Sequence, residues 1–384
     1  LVVLIGERCV SVRPSFFQRF ILPGFAFKAV VIGGGYATGR ELVEFFFPSG
    51  PLGGLAGIAL TMVLWSAVCS LTFVLAHATS SFDYRTFFAR LLGRGWVLFE
   101  VAYVLLILLV LSVFGAAAGE IGRTFGLPMV AGTLLLAAGI GVTVSFGNLA
   151  VERLFKYVSI FLYGVYAVFL TLALTRYHDR IAASFALAAP TEGWMRGGLT
   201  YAGYNLIGAV VILPVVRHMT SRRDAAIAGV LCGPLAALPA LLFFVCMLAF
   251  YPQIGAEALP SDFMLTQLDM PWFRLGFQLM IFAALLESGT GLVHAINERV
   301  ATVYATRQRV LSERARLSIA LALMFFASFV AARFGLVTLI AKGYGTSAHV
   351  FLLLYVVPLF TIGWWRVATS RNRSRTSRPP TLWS

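Results

Sequence analysis

Long runs of this chain carry no charged side chain, and that absence most constrains what it can fold into. The uncharged stretches are 45–82, 101–119, 124–151, 157–175, 197–216, 225–256, 317–332 and 343–365. A helix rises about 1.5 Å per residue, so roughly 20 apolar residues cross a bilayer. Most of these stretches are long enough. The bilayer interior offers no water to backbone N–H and C=O groups, so each run must satisfy them internally as a helix. A transmembrane barrel would instead show short segments of alternating polarity, and the sequence has none. Only 12% of the residues are charged and 59% are hydrophobic, about half the charge of an ordinary soluble domain. The expected fold is therefore that of an all-α integral membrane protein.

Ten transmembrane helices fit the pattern, at 20–46, 52–77, 96–119, 130–146, 154–174, 197–216, 225–251, 272–303, 317–332 and 347–365. The segment Phe334 to Lys342 is too short to cross and is expected to lie at the surface between the last two. With the N-terminus in the cytoplasm, 21 of the 30 Lys and Arg fall on the cytoplasmic side and eight outside, with Lys28 intramembrane. That asymmetry places both termini inside, which an even number of spans requires. The chain then divides into a cytoplasmic segment 1–17, one transmembrane domain 18–366, and a basic, Ser/Pro-rich tail 367–384 expected to be disordered and to lie near anionic lipid.

The net charge of +14 does not point to nucleic acid, because the basic residues sit in short loops where orientation signals belong. Cys9, Cys69, Cys232 and Cys246 are scattered, with no CxxC pair, and imply neither a disulfide nor a metal. No GxxxxGK[ST] sequence occurs, so ATP-driven pumping has no motif to rest on.

The first span contains Gly33-Gly34-Gly35-Tyr36-Ala37-Thr38-Gly39. Each glycine works against a continuous helix by roughly 1 kcal/mol, and irregular backbone survives at membrane depth only against protein or a water-filled cavity. Close helix packing through Gly35 and Gly39 is the competing explanation. The sixth span carries a comparable segment, with Tyr201, Gly203, Tyr204, Asn205 and Gly208. Five helices precede this second interruption and five include and follow it. An odd number per half inverts the second half, giving a five-plus-five inverted repeat, 18–175 and 196–366, with helices 1 and 6 interrupted. Interrupted helices at matching positions of inverted halves mark the binding site of a secondary transporter. The residues named in the two segments, Gly33 to Gly39 and Tyr201 to Gly208, are the candidate substrate-binding set. Half-helix N-termini suit an anionic group such as a carboxylate, and unwound carbonyls suit a cation.

The stretches GGGYATGRELVEFF (33–46), YAGYN (201–205), ESGTGLVHAINER (287–299) and LIAKGYGT (339–346) resemble the YkvI-type membrane proteins of prokaryotes. That family is similar to the amino acid–polyamine–organocation superfamily of LeuT-type transporters. The resemblance spans residues 18–366 and implies a cytoplasmic-membrane protein with helices 1 and 6 unwound. The family more often carries Ala at Gly34 and Phe at Tyr36, so pocket chemistry is not carried over.

A charge within a span costs at least about 2.5 kcal/mol and asks for a reason. Glu287, near the middle of the eighth span and followed by Ser288 and Thr290, is the candidate ion-coupling group. The three form a possible Na+ site, or Glu287 carries a proton or meets the amine of a substrate. A structural partnership with Lys28 or His294 is the alternative. Lys28 and Lys156 are further ion-coupling candidates, each with a snorkelling or interfacial alternative. Arg40, Glu41 and Glu44 follow the first break on the outer half of helix 1; Arg40 and Glu44 are helical neighbours that pair, or else the group lines or gates an outer vestibule. Glu100 and Glu120 are expected at interfaces.

The leading functional expectation is an ion-coupled secondary transporter of a small solute, an amino acid or related zwitterion. It would work by alternating access, with no cofactor beyond Na+ or H+ as coupling ion and the lipid bilayer as surrounding. A membrane sensor of the same fold, similar to germinant-receptor subunits, is the alternative. An enzyme is not expected: the five histidines are dispersed, and HAINE at 294–298 is not HExxH.

Overall fold

The computed structural model describes residues 3–5, 8–10, 14–145, 148–306 and 308–369. Apart from a short antiparallel pair, Val3–Ile5 with Arg8–Val10, the described residues form helices and their connections. The basic tail from 370 onward lies outside them.

Ten spans follow in order. Span 1 is built from Leu22–Val31, Gly34–Ala37 and Arg40–Phe46. Spans 2 to 5 are Gly50–Thr79, Trp96–Thr124, Met129–Ser145 and Asn148–Arg176. Span 6 comprises Trp194–Asn205, Ile207–Val211 and Leu213–Val216. Spans 7 and 8 are Arg222–Met247 and Pro271–Thr306. Span 9 begins at Glu313 and span 10 runs over 336–369, separated by Gly335 at φ 70° and ψ 167°. The chain beyond Phe334 is thus not a separate surface helix. Leu336, Leu339 and Ile340 are buried, and that burial makes the segment the first turns of span 10.

The helix starts are chemically marked. Pro51 opens span 2, where a missing N–H costs nothing. Ser221 caps span 7 by accepting from the Asp224 N–H at 3.1 Å and donating to its carboxylate at 2.9 Å. Two short helices between spans were not legible in the apolar pattern: Tyr84–Leu92, capped by Asp83, and Pro260–Gln267. A third, His178–Ser184, follows span 5.

The inverted repeat is visible in which helices touch. Spans 2 and 7 pack along one another, as do spans 4 and 9. Span 6 against span 2 is matched by span 1 against span 7, span 9 against span 3 by span 8 against span 4, and span 10 against span 3 by span 8 against span 5. Exchanging each helix for its counterpart five further on maps every pair onto its match. The connecting helices obey the same rule: Tyr84–Leu92 lies between spans 2 and 3, and Pro260–Gln267 lies between spans 7 and 8 on the opposite face. Small residues set the closest approach. A Cβ on Gly229 would run into the backbone of Ser70, and one on Gly233 into the carbonyl of Met62, so spans 2 and 7 touch backbone to backbone.

Candidate functional site

Span 1 stops being a helix at Ile32, whose ψ is 77°. It resumes after Gly39, whose φ of 80° is left-handed and open at low cost to glycine. Between them the chain makes a single turn, with Gly39 N–H bonded to the Tyr36 carbonyl at 2.9 Å and Arg40 N–H to Thr38 Oγ1 at 3.3 Å. The Thr38 carbonyl accepts from the N–H of Ser261 at 3.0 Å, tying the break to the Pro260–Gln267 helix. Span 6 is interrupted more shallowly. Its regular ladder lapses at Leu206 and again at Ile212. Leu206 keeps helical angles, and Ala209 N–H reaches back only three residues to the Leu206 carbonyl.

A cavity of about 390 Å³ lies against both interruptions. Span 1 contributes Val30, Gly33, Tyr36 and Glu41; span 3 contributes Tyr103, Ile107, Val110 and Phe114; span 6 contributes Tyr204, Asn205 and Ile207; span 8 contributes Glu287, Ser288 and Gly291; span 10 contributes Tyr344. It shares Tyr103, Ile207, Val211 and Ala295 with a second hollow of about 250 Å³, which reaches Asp83, Tyr84 and Arg299. The cavity therefore leads toward the face from which span 1 starts and on which span 10 ends. At that mouth Arg299 pairs with Glu100 at 3.1 Å and stacks on Tyr84 and Tyr103 at 4.4 and 4.1 Å.

The opposite face is closed. Arg40 donates to the carbonyls of Gly255 and Glu257 at 3.0 and 2.8 Å and pairs with Glu44 at 2.6 Å. Tyr201 is fully buried against Phe46, Trp65 and Tyr204. Asp262 of the Pro260–Gln267 helix accepts from Arg274 and Gln278 of span 8. That network locks the helix over the closed end of the bundle.

Of the residues singled out in the sequence, Gly33, Tyr36, Tyr204, Asn205, Glu287 and Ser288 line the cavity. Gly34 and Gly35 belong to the turn beside it, and Ala37 and Thr38 are buried. Gly39 is the hinge. Tyr201 packs in the aromatic cluster on the closed side, Gly203 faces Ala348 of span 10, and Gly208 faces Phe27 of span 1. The Lys28 ammonium lies over the ring of Tyr163 in span 5 at 4.3 Å, and Glu287 is within electrostatic range of the same residue. For Lys156 only the backbone, within span 5, is described.

Successive helical residues turn by about 100°, which separates the hydroxyls next to Glu287. Ser288 and Thr290 lie on opposite flanks of it. Thr290 is fully buried and its hydroxyl has no hydrogen-bond partner among the described residues. An unpartnered oxygen one turn from a carboxylate suits a hard cation.

From the sequence, Glu41 belongs with Arg40 and Glu44, a group that either pairs or lines or gates an outer vestibule. The structure turns it inward: it is 5% exposed, lines the cavity, and accepts the Tyr204 hydroxyl at 2.5 Å. Its signal was present as a carboxylate two residues beyond the last glycine of the break. Tyr344, stacked on Tyr204 with ring centroids 4.3 Å apart, had no such signal.

No protein-family model matches the chain, and no curated protein matches its sequence. Its backbone is similar to the crystal structure of MhsT in complex with L-phenylalanine, with a TM-score of 0.54 and 15% identity over 93% of this chain and 98% of that one. It is also similar to the Eremococcus coleocola manganese transporter in complex with an aromatic bis-isothiourea substituted compound, with a TM-score of 0.52 and 16% identity over 95% and 86%. The chain has the LeuT fold. At these identities the likeness establishes architecture: ten helices, two inverted halves and a multi-pass membrane protein. Within the LeuT fold of this chain the cavity sits where spans 1 and 6 are both interrupted.

Proposed function

We propose that this protein is an ion-coupled secondary transporter of a small organic solute that carries an ammonium group. The observation behind this reading is the 390 Å³ cavity, placed between the inverted halves and leading to one membrane face while the other is sealed. Rocking one half against the other would unseal the Arg40 side and close the Arg299 side, exposing the same walls alternately. The amino acid or related zwitterion expected from the sequence belongs to this solute class. Its ammonium would face Glu41 or Glu287, and its carboxylate would rely on backbone N–H groups.

The coupling cation, Na+ or H+, is assigned to Glu287, with Thr290 as the second oxygen when the ion is Na+. In a proton-coupled variant of that scheme, Lys28 or Lys156 would serve as the basic group. The protein belongs, in this reading, to the cytoplasmic membrane of a prokaryote with both termini inside, as a YkvI-type carrier. It is a carrier rather than an enzyme, and its substrate-binding residues are Gly33, Tyr36, Tyr204 and Asn205.

Counterflow in proteoliposomes tests this. Vesicles preloaded with unlabelled solute should accumulate the labelled solute transiently, and Glu287→Gln should abolish uptake at normal protein levels. A solute that binds the protein yet is never exchanged would make it a sensor.

A further inference from the structure

The charges on the cavity wall select further among solutes. Two carboxylates, Glu41 and Glu287, line it, and among the described residues no Lys, Arg or His does. Glu41 accepts the Tyr204 hydroxyl, and no cationic side chain comes within 4.0 Å of it among the described residues. The adjacent guanidinium of Arg40 is turned away, committed to Gly255, Glu257 and Glu44. A carboxylate buried within the membrane asks for a positive partner, and here the open space beside it is the cavity itself.

The groups around that carboxylate favour an organic cation. Tyr36, Tyr204 and Tyr344 share the wall with Glu41, and aromatic rings around an anion form the surroundings that bind alkylammonium groups. Beyond them the wall is apolar, with Leu106, Ile107, Val110, Phe114 and Leu292, which suits a hydrophobic body. A solute carboxylate finds no Lys, Arg or His on this wall among the described residues. The N–H groups of Ala37, Gly39 and Arg40 are already bonded within the break, to Gly33, Tyr36 and Thr38.

We infer that Glu41 is the ammonium site and that the preferred solute is a monoamine with an apolar, aromatic-sized body and no carboxylate. This rests on the carrier reading for the meaning of the cavity, while its test is one of binding alone. Three compounds share a phenylethyl body and differ in charge: 2-phenylethylamine, L-phenylalanine and 3-phenylpropionate. Titrated against the purified full-length protein in nanodiscs, the amine should bind at least tenfold more tightly than phenylalanine and the propionate should not bind. Glu41→Gln should weaken amine binding at least tenfold. Phenylalanine binding as tightly as the amine, Glu41→Gln leaving amine affinity unchanged, or no binding by any of the three would each overturn the inference. If Glu41→Gln fails to fold, the wild-type series decides alone. Amine binding without counterflow removes the carrier and keeps the amine site; phenylalanine counterflow without amine binding does the reverse.

Discussion

Tyr204 of span 6 donates its hydroxyl to the Glu41 carboxylate of span 1 over 2.5 Å, on the cavity wall where the two interrupted helices meet. Both residues are buried, at 4% and 5% exposure. The bond joins the two interrupted helices, and it orients the carboxylate toward the cavity. A hydrogen bond to a charged group contributes about 1.5–3 kcal/mol. Tyr204→Phe should therefore weaken 2-phenylethylamine binding by roughly tenfold to a hundredfold, as read by calorimetric titration, without preventing membrane insertion.

Gly39 is a second point of sensitivity. Its φ of 80° is strained for any side chain, and a Cβ there would stand 3.1 Å from the Phe243 ring and 3.2 Å from Met247 and Pro260. Gly39→Ala should cost about 1–3 kcal/mol, seen as a lowered melting temperature in detergent. Gly255→Ala, where an added Cβ meets nothing, should change it little.

Sodium coupling makes a separate prediction. If Thr290 is the second oxygen beside Glu287, Na+ should raise the melting temperature relative to choline, because a ligand of the native state stabilises it. Thr290→Val keeps the shape and removes the oxygen, and should erase the sodium-dependent shift. Ser288→Ala, on the other flank, should retain it. Fluorescence-monitored melting in the two salts reads all three proteins.

Arg40 is predicted to hold the outer side shut. Its removal leaves the Gly255 and Glu257 carbonyls and the Glu44 carboxylate without their common donor. In a protein with Cys9 replaced by serine and a cysteine placed at Val110 on the cavity wall, Arg40→Ala should raise labelling from the outer face several-fold. The measurement is the rate of reaction with a membrane-impermeant thiol reagent.

Much of this architecture is written in the chain's apolar runs. Ten spans follow from uncharged length, and the inversion follows from five helices lying between two similar glycine–tyrosine segments. Glu287 and Tyr204 were found at the cavity because a polar group in mid-span must face something polar. Three features escaped for physical reasons. Tyr344 falls between the short segment that ends at Lys342 and the expected start of the last helix at 347, and only burial against neighbouring spans shows that it belongs to the first turns of span 10. Gly203 and Gly208 look like helix breakers in sequence, yet they act as contact points for Ala348 and Phe27, because glycine serves both ends equally well. The inward turn of Glu41 depends on the left-handed angle at Gly39, which sets the direction of the helix after the break and is invisible to periodicity.

Cysteine accessibility at position 110 in the otherwise unaltered bundle bears most directly on the central claim, that a single cavity is open to one side at a time. On the proposed orientation, with both ends of the chain in the cytoplasm, an impermeant thiol reagent should modify Val110→Cys from the cytoplasmic face and not from the outside. Adding solute with its coupling ion should move that reactivity toward the outer face. Equal reaction from both faces at once, or a reactivity that no solute or ion displaces, would contradict alternating access in this protein.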